Sequence, residues 1–112
     1  MSSAAKDARR RRILDEAWVG DAVLSLYARR LILREQGSLD SSRFERMSSN
    51  QFLAALGDPA EVEAQIGRIF EQDGLEAAFH WLEANVLPLH RKQEAKRAKG
   101  QSIPGVRPRS VE

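Results

Sequence analysis

Asp21 is an acidic residue in the middle of an apolar run, Ala17-Trp18-Val19-Gly20-Asp21-Ala22-Val23-Leu24. Between Ile13 and Leu33 the apolar residues recur at helical spacing. Ile13, Ala17, Gly20, Leu24, Tyr27 and Leu31 share one face, with Leu14, Trp18 and Ala28 beside it. A carboxylate next to such a face is costly unless a metal ion, an arginine or a backbone amide meets it. Asp21 therefore either makes a structural contact or binds a cation. Glu63 is a second acid of interest, because it shares a helix face with Ile66, Gly67 and Phe70 and so lies on or beside a buried stripe. The commoner fate of a glutamate is an exposed helix surface. Gly20 and Gly67 each weaken a helix by about 1 kcal/mol relative to Ala, and close approach of their two helices would account for both.

The elements that must position these acids read as helices. The first is predicted over about 13–35, with Gln36-Gly37 as its stop. Residues 1–8 read as disordered, and Arg9 to Arg12 either extend this helix or precede it. A second helix is predicted over about 41–56, with Asp40 or Ser41 as N-cap and Gly57 as its end. It would bury Phe44, Met47, Phe52, Leu53 and Leu56, with Ser48-Ser49-Asn50 as a weak stretch where it could break in two. Asp58-Pro59-Ala60-Glu61 is a helix start: Asp58 as N-cap, Pro59 at the first position, Glu61 completing a capping box. That third helix runs to about Asp73, ends at Gly74, and carries the stripe Val62, Ile66, Ile69 and Phe70. A fourth, about 75–86, buries Leu75, Ala78, Phe79, Leu82 and Val86 and is stopped by Pro88. A charged fifth piece over 89–99 is possible, and Pro104 to Arg109 read as an extended tail. No alternating strand pattern occurs, so the expected fold class is all-α.

The 112 residues fit one domain with one modest core. No run of about 18 apolar residues occurs, so no membrane span is expected. Met1 to Arg12 is polar, unlike a secretory signal. The absence of cysteine excludes disulfides and thiolate metal sites and fits a cytoplasmic protein. His80 and His90 are too few and too isolated for zinc. The net charge of +2 hides a segregation into +4 over residues 1–12, −7 over 13–89 and +5 over 90–112. Basic ends on an acidic body suggest a basic N-terminal arm and a basic C-terminal tail that reach a polyanion, or else merely solubilising tails.

The sequence around Asp21 resembles the ribonuclease III signature, in which an aromatic or apolar pair precedes Gly-Asp-Ala-Val. A second matching block is Glu63-Ala64-Gln65-Ile66-Gly67-Arg68-Ile69-Phe70, followed by Gly74-Leu75-Glu76-Ala77-Ala78. Gly37-Ser38-Leu39 and Met47 to Ala54 are similar to the family's middle helix, so the resemblance spans roughly residues 13 to 88. Larger members carry a glutamate where this chain has Ala17 and an aspartate where it has Ala60. Compact Mini-III enzymes also lack the first of these acids, and they too have no double-stranded-RNA-binding domain, so the resemblance is closest to them. The stretch between Asp21 and Glu63 is shorter than in either group. Glu16, Asp58 and Glu61 are the nearby acids that could compensate.

The resemblance implies a small ribonuclease III-like helical domain over 13–89, working as a symmetric homodimer. It implies a Mg²⁺-dependent endoribonuclease (Mn²⁺ substituting) that cuts double-stranded or structured RNA, by analogy ribosomal RNA precursor. Asp21 and Glu63 would be the catalytic and metal-binding residues; magnesium takes oxygen ligands and keeps several waters, so two carboxylates and a phosphate suffice. Arg9, Arg10, Arg11, Arg12, Arg91, Lys92, Lys96, Arg97 and Lys99 are the expected phosphate contacts, whereas Arg29, Arg30 and Arg34 read as a solvated face. Trp18, Phe44, Phe52, Phe70, Phe79 and Trp81 either fill one core or contribute to a symmetric interface, for which the fourth helix is one candidate surface. The competing expectations are a catalytically degenerate ribonuclease III-fold protein that binds RNA or ribosomes without cleaving, and a small helical interaction module.

Overall fold

The computed structural model describes residues 3–100, all of whose regular elements are α-helices: α1 (Ser3–Gln36), α2 (Ser41–Ser48), α3 (Asn50–Ala54), α4 (Pro59–Asp73), α5 (Leu75–Asn85) and α6 (Leu87–Ala98). None of them is long and apolar enough to cross a membrane. The tail expected over Pro104 to Arg109 lies outside the described residues.

The starts and stops follow from local chemistry. The Asp40 carboxylate accepts from the Arg43 amide at 2.9 Å and caps α2. The second helix breaks in two where its Ser-Ser-Asn stretch is weakest: Ser49 leaves the helix and its Oγ caps α3 through the Phe52 amide at 3.2 Å. Because α3 ends at Ala54, Leu56 falls in the following turn and stays 37% exposed instead of joining the core. Asp58 caps α4 through the Glu61 amide at 3.2 Å, with Pro59 in its first turn. Helix α5 stops at Asn85, ahead of Pro88 as expected, and the charged fifth piece expected over 89–99 forms as α6, entered through Pro88. Pro88 sits in the first turn of α6, where its missing N–H costs nothing. A correction comes at the N-terminus: residues 3–8, expected to be disordered, continue α1, which is 34 residues and about 50 Å long.

One core joins these helices. Val23, Leu24, Tyr27, Ala28, Leu31 and Ile32 of α1 meet Met47, Phe52, Leu53, Val62, Ile66, Ala78, Leu82 and Val86. Phe44, Phe70, Phe79 and Trp81 pack partly buried against it, and Phe79 meets the Tyr27 ring edge-on at 5.3 Å. Trp18 does not join the core and is 82% exposed.

Helix α6 packs Leu87 and Leu89 against this core and is also held by a network of charges, which the sequence did not announce. Arg43 Nε donates to His90 Nε2 at 3.2 Å, both side chains being buried. The Glu35 carboxylate accepts from Arg43 at 2.6 Å and from Arg91 at 2.9 Å. Arg46 grips Glu94 through two bonds of 2.9 Å. Burial, reinforced by Arg43, Arg46 and Arg91 and opposed by Glu94, pushes His90 down to a pKa of about 4.

Candidate active site

Asp21 and Glu63 come together where α1 crosses α4. The crossing is backbone-close because both helices carry glycine there. A Cβ on Gly20 would overlap the Glu63 carbonyl oxygen, and one on Gly67 would overlap the Glu16 carbonyl oxygen. The expected reason for these two glycines is therefore the observed one. Asp21 follows Gly20 by one residue and Glu63 precedes Gly67 by one helical turn, so the close crossing turns both carboxylates into the same space.

The Asp21 carboxyl lies close enough to Glu63 to act on it both as a hydrogen-bond partner and as a neighbouring negative charge. Two carboxylates can hydrogen-bond only by sharing a proton. Partial burial first, and then Asp21 as bond partner and as a neighbouring negative charge, raise Glu63 from the ordinary carboxylate range to about 7. The residue Asp21 itself is exposed, while Glu63 is half-buried. Near neutral pH this pair holds a proton where a cation could bind, and a cation would displace it.

The pair faces an open cleft of about 520 Å³. Leu14, Ala17 and Trp18 line it from α1, Ser48 and Asn50 from the α2–α3 break, and Asp58, Pro59 and Ala60 from the start of α4. Of the three acids considered as substitutes for the missing ones, only Asp58 reaches this cleft. Glu16 is paired with Arg68 at 3.5 Å and lines a separate groove with Asp15, Val19 and Glu71. Glu61 is exposed on α4. Among the described residues, no group of three or more His, Asp or Glu side chains converges as a ligand cluster. The donor set for a metal is thus two hard carboxylate oxygens, which suits a cation that keeps most of its waters, as magnesium does.

The basic residues flank the acid pair without lining the cleft. Arg9, Arg10, Arg11 and Arg12 are exposed on the N-terminal turns of α1, Arg11 being about 15 Å along the axis from Asp21. Lys92, Lys96 and Lys99 are exposed on α6, and Arg91 is exposed while paired with Glu35. Arg97 is half-buried. Helix α6 joins α1 at Glu35, about 21 Å beyond Asp21, so the two basic groups sit on either side of the acid pair. Arg29 and Arg30 are exposed and lie over the Phe44 and Phe79 rings. Compared with known proteins, the chain matches no family model, no curated protein and no solved structure.

Proposed function

We propose that the protein is a Mg²⁺-dependent, Mini-III-like endoribonuclease acting on double-stranded or structured RNA in the cytoplasm, by analogy on ribosomal RNA precursor. The observation that carries this reading is the meeting of Asp21 and Glu63, residues 42 positions apart, in a carboxylate pair at an open cleft. A second observation supports it. Ala17 and Ala60, the positions at which larger ribonuclease III enzymes carry their other acids, line the same cleft.

Asp21 and Glu63 would hold Mg²⁺ or Mn²⁺ through carboxylate oxygens. When bound, such an ion makes a water nucleophilic near neutral pH and offsets charge developing on the scissile phosphate. The chain's own contribution is to give up the shared proton, to fix both carboxylates at a crossing that cannot shift, and to admit the sugar-phosphate backbone into an open cleft. RNA would be read by shape through phosphates and 2′-hydroxyls, with the arginines of α1 and the basic residues of α6 as contacts on either side.

The reading includes a homodimer. Leu14, Trp18 and Leu26 follow one another at multiples of four residues on α1, with Leu33 farther along; all four are exposed. Large apolar side chains exposed along one helix suit a second copy of the same chain. Two copies would present two acid pairs, one for each strand.

The alternative, an RNA-binding protein of this fold that has lost its chemistry, is favoured by alanine at positions 17 and 60. Incubating a labelled RNA duplex with Mg²⁺ separates the two. Cleavage by the wild type, lost by at least about 100-fold in Asp21→Asn and Glu63→Gln, is expected for the enzyme. Binding without cleavage, unchanged in both variants, would establish the alternative.

A further inference from the structure

The cleft that holds the acid pair is short of hydrogen-bond donors. Asp21, Glu63 and Asp58 bring only acceptors when ionised, and the Ser48 hydroxyl is spent on the Phe44 carbonyl at 2.6 Å. Two side-chain donors remain on its walls, the Trp18 indole N–H, on a ring that the proposed dimer contact engages, and the Asn50 carboxamide.

Asn50 has no structural occupation. It stands at the first position of α3, but Ser49 does the capping. Asn is a poor helix former whose usual merit at a helix start is to cap. Its side chain is exposed and engages no other residue among those described. It lines the cleft directly after the break between α2 and α3, where Ser49 is extended at φ −70° and ψ 156°.

We infer that Asn50 is a substrate-contacting residue whose carboxamide N–H donates to a non-bridging oxygen of the RNA phosphate brought against the Asp21–Glu63 pair. A neutral donor suits this role. It holds a phosphate without forming an ion pair with the neighbouring acids, as an arginine or lysine there would. The inference rests on the endoribonuclease reading above and deepens it by assigning a second residue of the cleft wall that the carboxylates share.

The test compares Asn50→Ala and Asn50→Asp with the wild type in two assays. The first is cleavage of a labelled RNA duplex with Mg²⁺. The second is binding of Tb³⁺ alone, read by luminescence sensitised through Trp18, which lines the same cleft. Asn50→Ala is expected to lower kcat/KM about tenfold, the value of one hydrogen bond to a charged group. Asn50→Asp is expected to lower it further, because a carboxylate repels phosphate. Tb³⁺ affinity should be unchanged in Asn50→Ala and no weaker in Asn50→Asp. Wild-type cleavage in Asn50→Ala would overturn the inference and leave the enzyme intact. Parallel loss of cleavage and Tb³⁺ affinity would also overturn it, by making Asn50 a residue of the cation shell. Absence of cleavage by the wild type itself would remove the endoribonuclease reading and this inference with it.

Discussion

At the scale of single residues, the informative pairing is Asp21 with Glu63. Their shared proton has a consequence for stability as well as for chemistry. Glu63 titrates near 4.5 in an unfolded chain and near 7 here. A raised carboxyl stabilises the fold fully below pH 4.5, and that contribution is lost as pH rises through about 7. In the absence of divalent cations, Glu63→Gln is therefore expected to be the more stable protein at pH 8, by roughly 1 kcal/mol once solvent screening is allowed for. Thermal melting with a chelator present reads this as a rise of about 5 °C in Tm. Mg²⁺ should narrow the gap, because it replaces the proton only in the wild type. The acid pair was legible in the sequence because an aspartate inside an apolar run and a glutamate beside a buried stripe are both costly placements. The sequence did not reveal that the carboxyl groups lie so close, since that depends on how closely two helices cross. Nor did it mark Asn50, which is one polar residue in a polar stretch until the fold places it on the wall of the cleft.

At the scale of elements, the α1–α4 crossing and the docking of α6 work by different physics. The crossing depends on the missing side chains of Gly20 and Gly67, and a methyl group at either position meets backbone that cannot turn aside. Gly20→Ala is expected to destabilise the fold by about 3 kcal/mol, although alanine is the better helix former. Denaturant titration would show the midpoint falling rather than rising. Helix α6 depends on the packing of Leu87 and Leu89 and on a polar network of Arg43, Arg46, Arg91, Glu35, Glu94 and His90. His90 must be unprotonated at Nε2 to accept from Arg43, and its pKa near 4 lies below the 6.5 of a free histidine. The stability this lends is present above pH 6.5 and is lost as pH falls through about 4. His90→Gln, which keeps an acceptor and does not titrate, is expected to flatten the acid side of the stability profile between those values. An unchanged slope would mean that other groups govern acid unfolding. The caps at Asp40 and Asp58 and the helix-ending glycines were readable because each acts within a few residues. The charge clamp was not, because Arg43 and His90 are 47 residues apart and only the fold brings them together.

At the scale of the whole molecule, one long helix sets the layout. Helix α1 carries exposed arginines at its N-terminal end, the acid pair near its middle and the α6 attachment at its far end. The molecule is accordingly elongated, 58 Å by 28 Å by 20 Å. The charge segregation in the sequence becomes an acidic cleft between two basic groups, which is the arrangement a polyanion bridging the cleft requires. Replacing Arg9 to Arg12 with glutamine is expected to weaken RNA binding and flatten its dependence on salt, whereas Asp21→Asn should leave that slope alone. Trp18→Glu is expected to leave the fold intact, since Trp18 is exposed and outside the core; if the proposed homodimer forms, sedimentation should read a dimer for the wild type and a monomer for the variant.

The claim beneath all of this is that Asp21 and Glu63 exchange their proton for a divalent cation. Isothermal calorimetry of Mg²⁺ binding at pH 7, in two buffers of different ionisation enthalpy, measures that exchange directly. With Glu63 near 7, the account expects binding to release about half a proton per site. Neither binding nor release should remain in Asp21→Asn or Glu63→Gln. Mg²⁺ binding that persists in both variants, or no binding by the wild type, would contradict it.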